Sequence, residues 1–175
     1  MGYKHQILPQ GIKKVHIEPF KNETLFVGPE LDFTNQLVKE FQRAKAGKLV
    51  SVNNSEGLLK GRVISIQRIQ RAPEAQPRRS DRRARGWVNL PPGTLITTEY
   101  LLRVKVQLNL VNKKTSRIIW TQIFTDETIY PSSRLALETI NTALPNYNNS
   151  EEQRMIKVLA GVMMQEAVGR LTENF

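Results

Sequence analysis

Apolar and polar residues alternate most regularly over Tyr100–Val111, YLLRVKVQLNLV. Leu102, Val104, Val106, Leu108 and Leu110 interleave there with Arg103, Lys105, Gln107 and Asn109. A period of two sends the two sets to opposite faces of a strand, so this segment is predicted to bury one face and wet the other. The polar stretch Asn112-Lys113-Lys114-Thr115 follows, and then a second β-rich run, Arg117–Thr125 (RIIWTQIFT). Two such runs around a short polar turn predict a hairpin. Upstream, Gly61–Gln70 (GRVISIQRIQ) reads as another strand, with Ile64 and Ile66 expected on one face. Val15–Phe20 (VHIEPF) reads as a short first strand, which Pro19 should end or confine to an edge because it has no amide N–H to donate.

Two segments carry the helical period instead. Pro29 suits the first position of a helix, and Glu30 and Asp32 suit the positive end of its dipole. Leu31, Phe33, Leu37, Val38 and Phe41 then form an apolar stripe running to about Arg43. Near the end of the chain, Ser150 with Gln153 three residues on is a capping-box pattern, reinforced by Glu151 and Glu152. Ile156, Leu159, Met163, Ala167 and Leu171 follow at spacings of three and four. The methionines on that stripe are read as packing rather than as metal ligands.

The resulting order, β-α-β-β-β-α, predicts an α+β fold. We expect a single-domain, two-layer sandwich over residues 1–175, with two helices on one face of a four-stranded mixed sheet. Two long connections remain, at about 71–98 and 126–149. If the last three strands form a meander, both connections leave from the same end of the sheet, and the Lys113-Lys114 turn lies at the other.

Composition adds a charge to this picture. The 175 residues carry a formal net charge of +10, with a pI near 10.1, and include no cysteine. Disulfides, thiolate catalysis and cysteine-bound zinc are therefore excluded. No apolar run approaches the roughly 18 residues of a membrane-spanning helix. Met1-Gly2-Tyr3 leads straight into foldable sequence, with no signal-peptide pattern. That is expected of a cytosolic protein, or of a chain whose targeting segment has been removed.

Candidate chemistry is sparse. His5 and His16 pair neither with a nucleophile nor with each other at metal-ligand spacing, and glycines occur singly, without a phosphate-binding fingerprint. Asp126 and Glu127 are adjacent, so on a strand they point to opposite faces and make a poor catalytic pair. Three Asn-X-Ser/Thr sequons, at Asn22, Asn53 and Asn148, are read as chance. No enzyme, cofactor or metal is expected.

One stretch stands apart. Residues 78–85 read RRSDRRAR, five arginines and one aspartate in eight positions. Arginine used throughout, in place of lysine, favours bidentate contact with phosphate. That chemistry does not distinguish a nucleic-acid phosphate from a lipid phosphate, and a solvated loop without a ligand is a further alternative. Stacking aromatics that would favour nucleic acid are scarce, with Trp87 alone close to the cluster.

The order of motifs resembles the LptE family of lipopolysaccharide-assembly lipoproteins. Gly2-Tyr3, then Leu8-Pro9 through Ile12-Lys13, Val15, Ile17, Phe20, Asn22 and Thr24, is similar to the opening of that family, where a lipidated cysteine precedes an "LP…IK.V.I..F.N.T" stretch. Gly28-Pro29-Glu30-Leu31 with Thr34, Leu59-Lys60-Gly61, Thr98-Glu99-Tyr100, the hairpin ending in TSRIIW, and the closing Ser150-Glu151-Glu152 helix continue the resemblance over nearly the whole chain. Pro29 stands where the family has leucine, Ser116 where its turn has glycine, and Met1 where the cysteine would be.

The resemblance implies a non-enzymatic role at the periplasmic face of the outer membrane. It implies an N-terminal lipid anchor, a β-barrel translocon partner, LptD, which the protein plugs, and binding of lipopolysaccharide. By position, the basic residues that would meet lipopolysaccharide are Arg78, Arg79, Arg82, Arg83, Arg85 and Arg134. A nucleic-acid partner is not expected.

Overall fold

A computed structural model of the protein describes residues 8–75, 95–131 and 145–173, apart from the side chains of 72–75, 95–98 and 145–148. Its elements run β1 (Lys14–Ile17), β2 (Lys21–Asn22), α1 (Pro29–Arg43), β3 (Lys48–Leu49), β4 (Gly57–Ala75), β5 (Leu95–Asn112), β6 (Arg117–Pro131) and α2 (Pro145–Glu173). The α+β class and the two helices on a mixed sheet are as the periodicity predicts. Among the described residues the sheet has six strands rather than four, in the order β3-β1-β4-β5-β6, with β2 also paired to β4. The two additions, β2 and β3, are two residues each, too short for a period of two to register in the sequence.

The first strands are parallel. Val15 pairs with both Leu49 and Gly57, and Asn22 with Val63. β1 stops at Ile17, ahead of Pro19, as a residue without an N–H requires. The β5–β6 hairpin closes through a turn at 113–116, where the Asn112 side-chain oxygen accepts from the amides of Lys114 (3.0 Å) and Thr115 (3.3 Å).

The chain divides into two compact units. One comprises Met1–Ile66, Val104–Asp126 and Ile156–Phe175, and the other Gln67–Arg103 and Glu127–Met155. In the first unit, Val104, Val106, Leu108 and Leu110 are buried, as alternation predicts. Phe20 lies over Gly61 of β4, where a Cβ would sit inside the ring's van der Waals envelope, and its ring stacks on Phe33 of α1 at 5.7 Å. A glycine at 61 is thus a packing requirement, and it brings α1 onto the sheet. Arg170 of α2 lies 5.9 Å from the Phe124 ring centroid of β6, which puts α2 on that same inner face. Full burial of an apolar side chain such as Phe20, Phe33 or Phe124 contributes roughly 1.5–3 kcal/mol.

Helix α1 begins as expected. Gly28 precedes it at φ 98°, a left-handed conformation that glycine tolerates, and Pro29 takes the first turn. Pro29, Phe33, Leu37 and Phe41 are buried at spacings of four, whereas Leu31, two residues from Phe33 and so on the opposite side of the helix, is exposed. In α2 all five expected apolar positions are buried. Its start differs: the helix begins at Pro145, so Ser150 lies inside it and is no cap. The strands likewise run further than expected, β4 to Ala75, β5 back to Leu95 and β6 to Pro131, which shortens both long connections. Among the described residues of β4, Gly57, Leu59, Gly61, Val63 and Ile66 are buried, with Ile64 only half-buried. The buried parity changes between Val63 and Ile66, as one extra residue in a strand would cause.

Candidate functional site

The six arginines singled out above, Arg78, Arg79, Arg82, Arg83, Arg85 and Arg134, lie outside the described residues. Their attachment points do not. β4 ends at Ala75 and β5 begins at Leu95; β6 ends at Pro131 and α2 begins at Pro145. All four residues belong to the second unit. β5 lies between β4 and β6. Arg62 meets Gln107 and Arg68 meets Tyr100 between β4 and β5, and Asn109 meets Thr121 and Arg103 meets Glu127 between β5 and β6; numbers that rise on one strand as they fall on the other make both pairs antiparallel. Ala75, Leu95 and Pro131 therefore stand at one end of the three strands, and the 113–116 turn at the other. There the Lys113 ammonium donates to the carbonyls of Val52 and Asn53, which commits it to the fold.

Within the second unit, four elements converge on a polar cluster. Tyr130 of β6, 1% exposed, donates its hydroxyl to Glu152 Oε1 of α2 at 3.4 Å. Arg68 of β4 reaches Glu152 Oε2 at 3.6 Å, and its guanidinium lies 5.4 Å from the ring centroid of Tyr100 on β5. The Tyr100 and Tyr130 rings are 5.5 Å apart. Burial, together with the Glu152 charge, pushes the Tyr130 hydroxyl up to about 12, so it remains a donor at neutral pH. Burial also raises the Glu152 carboxyl, against the opposing pull of Arg68. With its phenol protonated and both carboxylate oxygens engaged, the cluster is a fastener holding α2 to the strand ends. One turn before Ile156, Glu152 occupies an inward position of the apolar stripe. That placement was the legible signal, although the sequence reading took Glu152 for a dipole residue.

Basic groups accompany the fastener. Arg103 pairs with Glu127 at 2.9 Å, Arg154 with Glu151 at 2.8 Å, and Arg71 is exposed on β4. Sequence reasoning passes over Arg68 because it falls inside the β pattern of Gly61–Gln70, and over Arg71 because it stands in the long connection but outside the run at 78–85. His16 is structural: its Nδ1 donates to the Val50 carbonyl at 3.0 Å. Asp126 and Glu127 both lie in β6, the first half-buried and the second exposed, as residues on opposite faces should be. Among the described residues no three His, Asp or Glu side chains are grouped to hold a metal ion, and no helix is long and apolar enough to cross a membrane.

Comparison with known proteins decides the family. The family model described as "LptE: Lipopolysaccharide-assembly" matches residues 12–171. The chain belongs to the LptE family. No curated protein matches it in sequence. Among solved structures, it is similar to a point variant of PelC from Paraburkholderia phytofirmans, solved as a dodecamer, with 9% identity, 95% of this chain and 92% of that one covered, and a TM-score of 0.52. A minor lipoprotein from Acinetobacter baumannii is similar at 15% identity, with 93% and 92% covered and a TM-score of 0.50. The hypothetical protein CT253 from Chlamydia trachomatis is similar at 8% identity, with 93% and 99% covered and a TM-score of 0.52. At these identities the likeness is one of fold.

Several of the residues that first suggested LptE build the first unit. Asn22 donates to the Phe26 carbonyl and, at 3.0 Å, to Glu30, and accepts from the Thr24 amide (2.9 Å) and hydroxyl (2.7 Å). Thr34 accepts from the Phe20 amide at 2.9 Å and donates to the Glu30 carbonyl. Together with Gly61, these residues fasten α1 to the sheet. The LptE signature in this stretch is thus a signature of the fold.

Proposed function

We propose that this LptE-family chain is a non-enzymatic lipopolysaccharide-assembly factor of the outer membrane. It binds lipopolysaccharide and plugs the β-barrel translocon LptD as one domain over residues 1–175. In the cell it is held at the periplasmic face by a lipid on an N-terminal cysteine, at the position Met1 occupies here. The observation that carries this reading is the shared origin of the two arginine-bearing segments. Both leave from one unit of a fold assigned to lipopolysaccharide assembly. Phosphates of the glycolipid are a suitable target for Arg78, Arg79, Arg82, Arg83, Arg85 and Arg134, because a guanidinium fork grips phosphate in bidentate fashion.

The test replaces the five arginines of 78–85 with serine and measures binding to purified lipopolysaccharide at matched salt. Affinity should fall at least about tenfold, roughly 1.4 kcal/mol, while the melting temperature stays within a degree or two of the parent. Unchanged affinity would return the charge to a solvated loop.

A further inference from the structure

The two edges of the sheet are built differently. One is β3, only two residues long and containing Lys48, which is how natural sheets blunt an edge. The other is β6, fifteen residues long, with β5 on one side and, among the described residues, no strand on the other. β6 contains no lysine and no glycine, and its sole proline is its last residue. Ile123 and Ile129 on its outer face are each 49% exposed. Such an edge presents a row of amide and carbonyl groups, which is a template for another strand.

We propose that β6 pairs antiparallel with β6 of a second copy of this chain, about a two-fold axis through Gln122. The residue pattern of β6 is self-complementary in that register. Keeping both helix layers on one face of the joined sheet requires odd positions to face odd ones and even to face even. Centred on Gln122, Arg117 stands opposite the partner copy's Glu127, and the reverse, while Ile119 meets Thr125 and Thr121 meets Ile123. Centring on Thr121 instead sets Arg117 against Thr125, and centring on Ile123 sets it against Ile129. Neither register matches opposite charges. Glu127 already accepts from Arg103 on β5, so the partner copy's Arg117 completes a plus-minus-plus ladder across the seam. This assembly is independent of lipopolysaccharide binding.

Sedimentation of the full chain between about 1 and 100 μM tests it, because self-association depends on concentration. The unmodified chain should shift to a dimer over that range. Arg117→Glu sets like charges opposite one another and should weaken the dimer at least about tenfold. The double variant Arg117→Glu/Glu127→Arg should recover most of that loss, even though it also breaks the contact with Arg103. Ile123→Lys, a single added charge at the seam, should weaken the dimer as well. Circular dichroism establishes that each variant is folded. A chain that stays monomeric throughout overturns the proposal. So does a folded double variant as weak as the single one, or a dimer indifferent to both Arg117→Glu and Ile123→Lys.

Discussion

Glu152 shows how much one buried carboxyl can set. Burial raises its folded pKa above the unfolded value, while Arg68 pulls the other way without cancelling the rise. A carboxyl of this kind holds more protons in the folded state. Its contribution to stability is therefore fully present below the ordinary carboxylate value and is lost as pH rises through the raised one. Glutamine at 152 keeps an acceptor for Tyr130 but has no charge to titrate. Thermal melts of Glu152→Gln and the parent between about pH 4 and pH 8 should show the difference moving in the parent's favour as pH falls. Parallel curves would mean that Glu152 does not titrate in that window. Glu56 has the opposite sign. The Lys13 amide (2.9 Å) and then the Lys14 amide (3.3 Å) donate to its carboxylate and lower its pKa, so what it contributes is present at neutral pH and disappears with acid.

Among the elements, the β5–β6 hairpin was the most legible and holds the clearest local conflict. Alternation over Tyr100–Val111 leaves a single face that can be buried, which sets the strand's orientation before any partner is known. The turn is another matter. Ser116 sits at φ 54°, a left-handed conformation that costs a residue with a Cβ about 1–2 kcal/mol. The LptE pattern has glycine there. Ser116→Gly should stabilise the chain by up to about 1 kcal/mol, since glycine's greater unfolded-state freedom offsets part of the gain. Chemical denaturation would measure it, and a loss of stability would mean that the serine hydroxyl has a compensating role. Helix α2 teaches the reverse lesson. Ser150 and Gln153 carry a valid capping pattern, yet the helix continues back to Pro145, and a cap signal inside a longer helix is simply overridden.

For the whole molecule, the informative quantity is where the charge is attached. A net +10 spread evenly would favour any anion. Here the ends of 76–94 and of 132–144 all belong to the second unit, and Lys113 of the β5–β6 turn is tied into the first. If LptD is the partner, a tagged form of this chain given an N-terminal lipidated cysteine should co-purify from envelope extracts with a β-barrel protein of the LptD type. Recovery without that barrel would argue for a different envelope role. If the chain binds both lipopolysaccharide and the barrel as proposed, high salt should weaken the first more than the second, because screening acts on exposed phosphate contacts rather than on packed surfaces.

What the sequence determined by itself was the class of fold and the family. Periods of two and of three to four are local properties, and the helix stripes and the β5 alternation state which face must be buried. The LptE pattern was readable because Asn22 bonds Thr24, Phe26 and Glu30, and Thr34 bonds Phe20 and Glu30, all within one short stretch of chain. Tertiary structure alone decided what depends on distant partners. β2 and β3 exist because β1 and β4 offer them hydrogen bonds. Leu31 is exposed because α1 turns another stripe toward Phe20 and the sheet. Glu152 is buried because Arg68 and Tyr130, far away in sequence, meet it there.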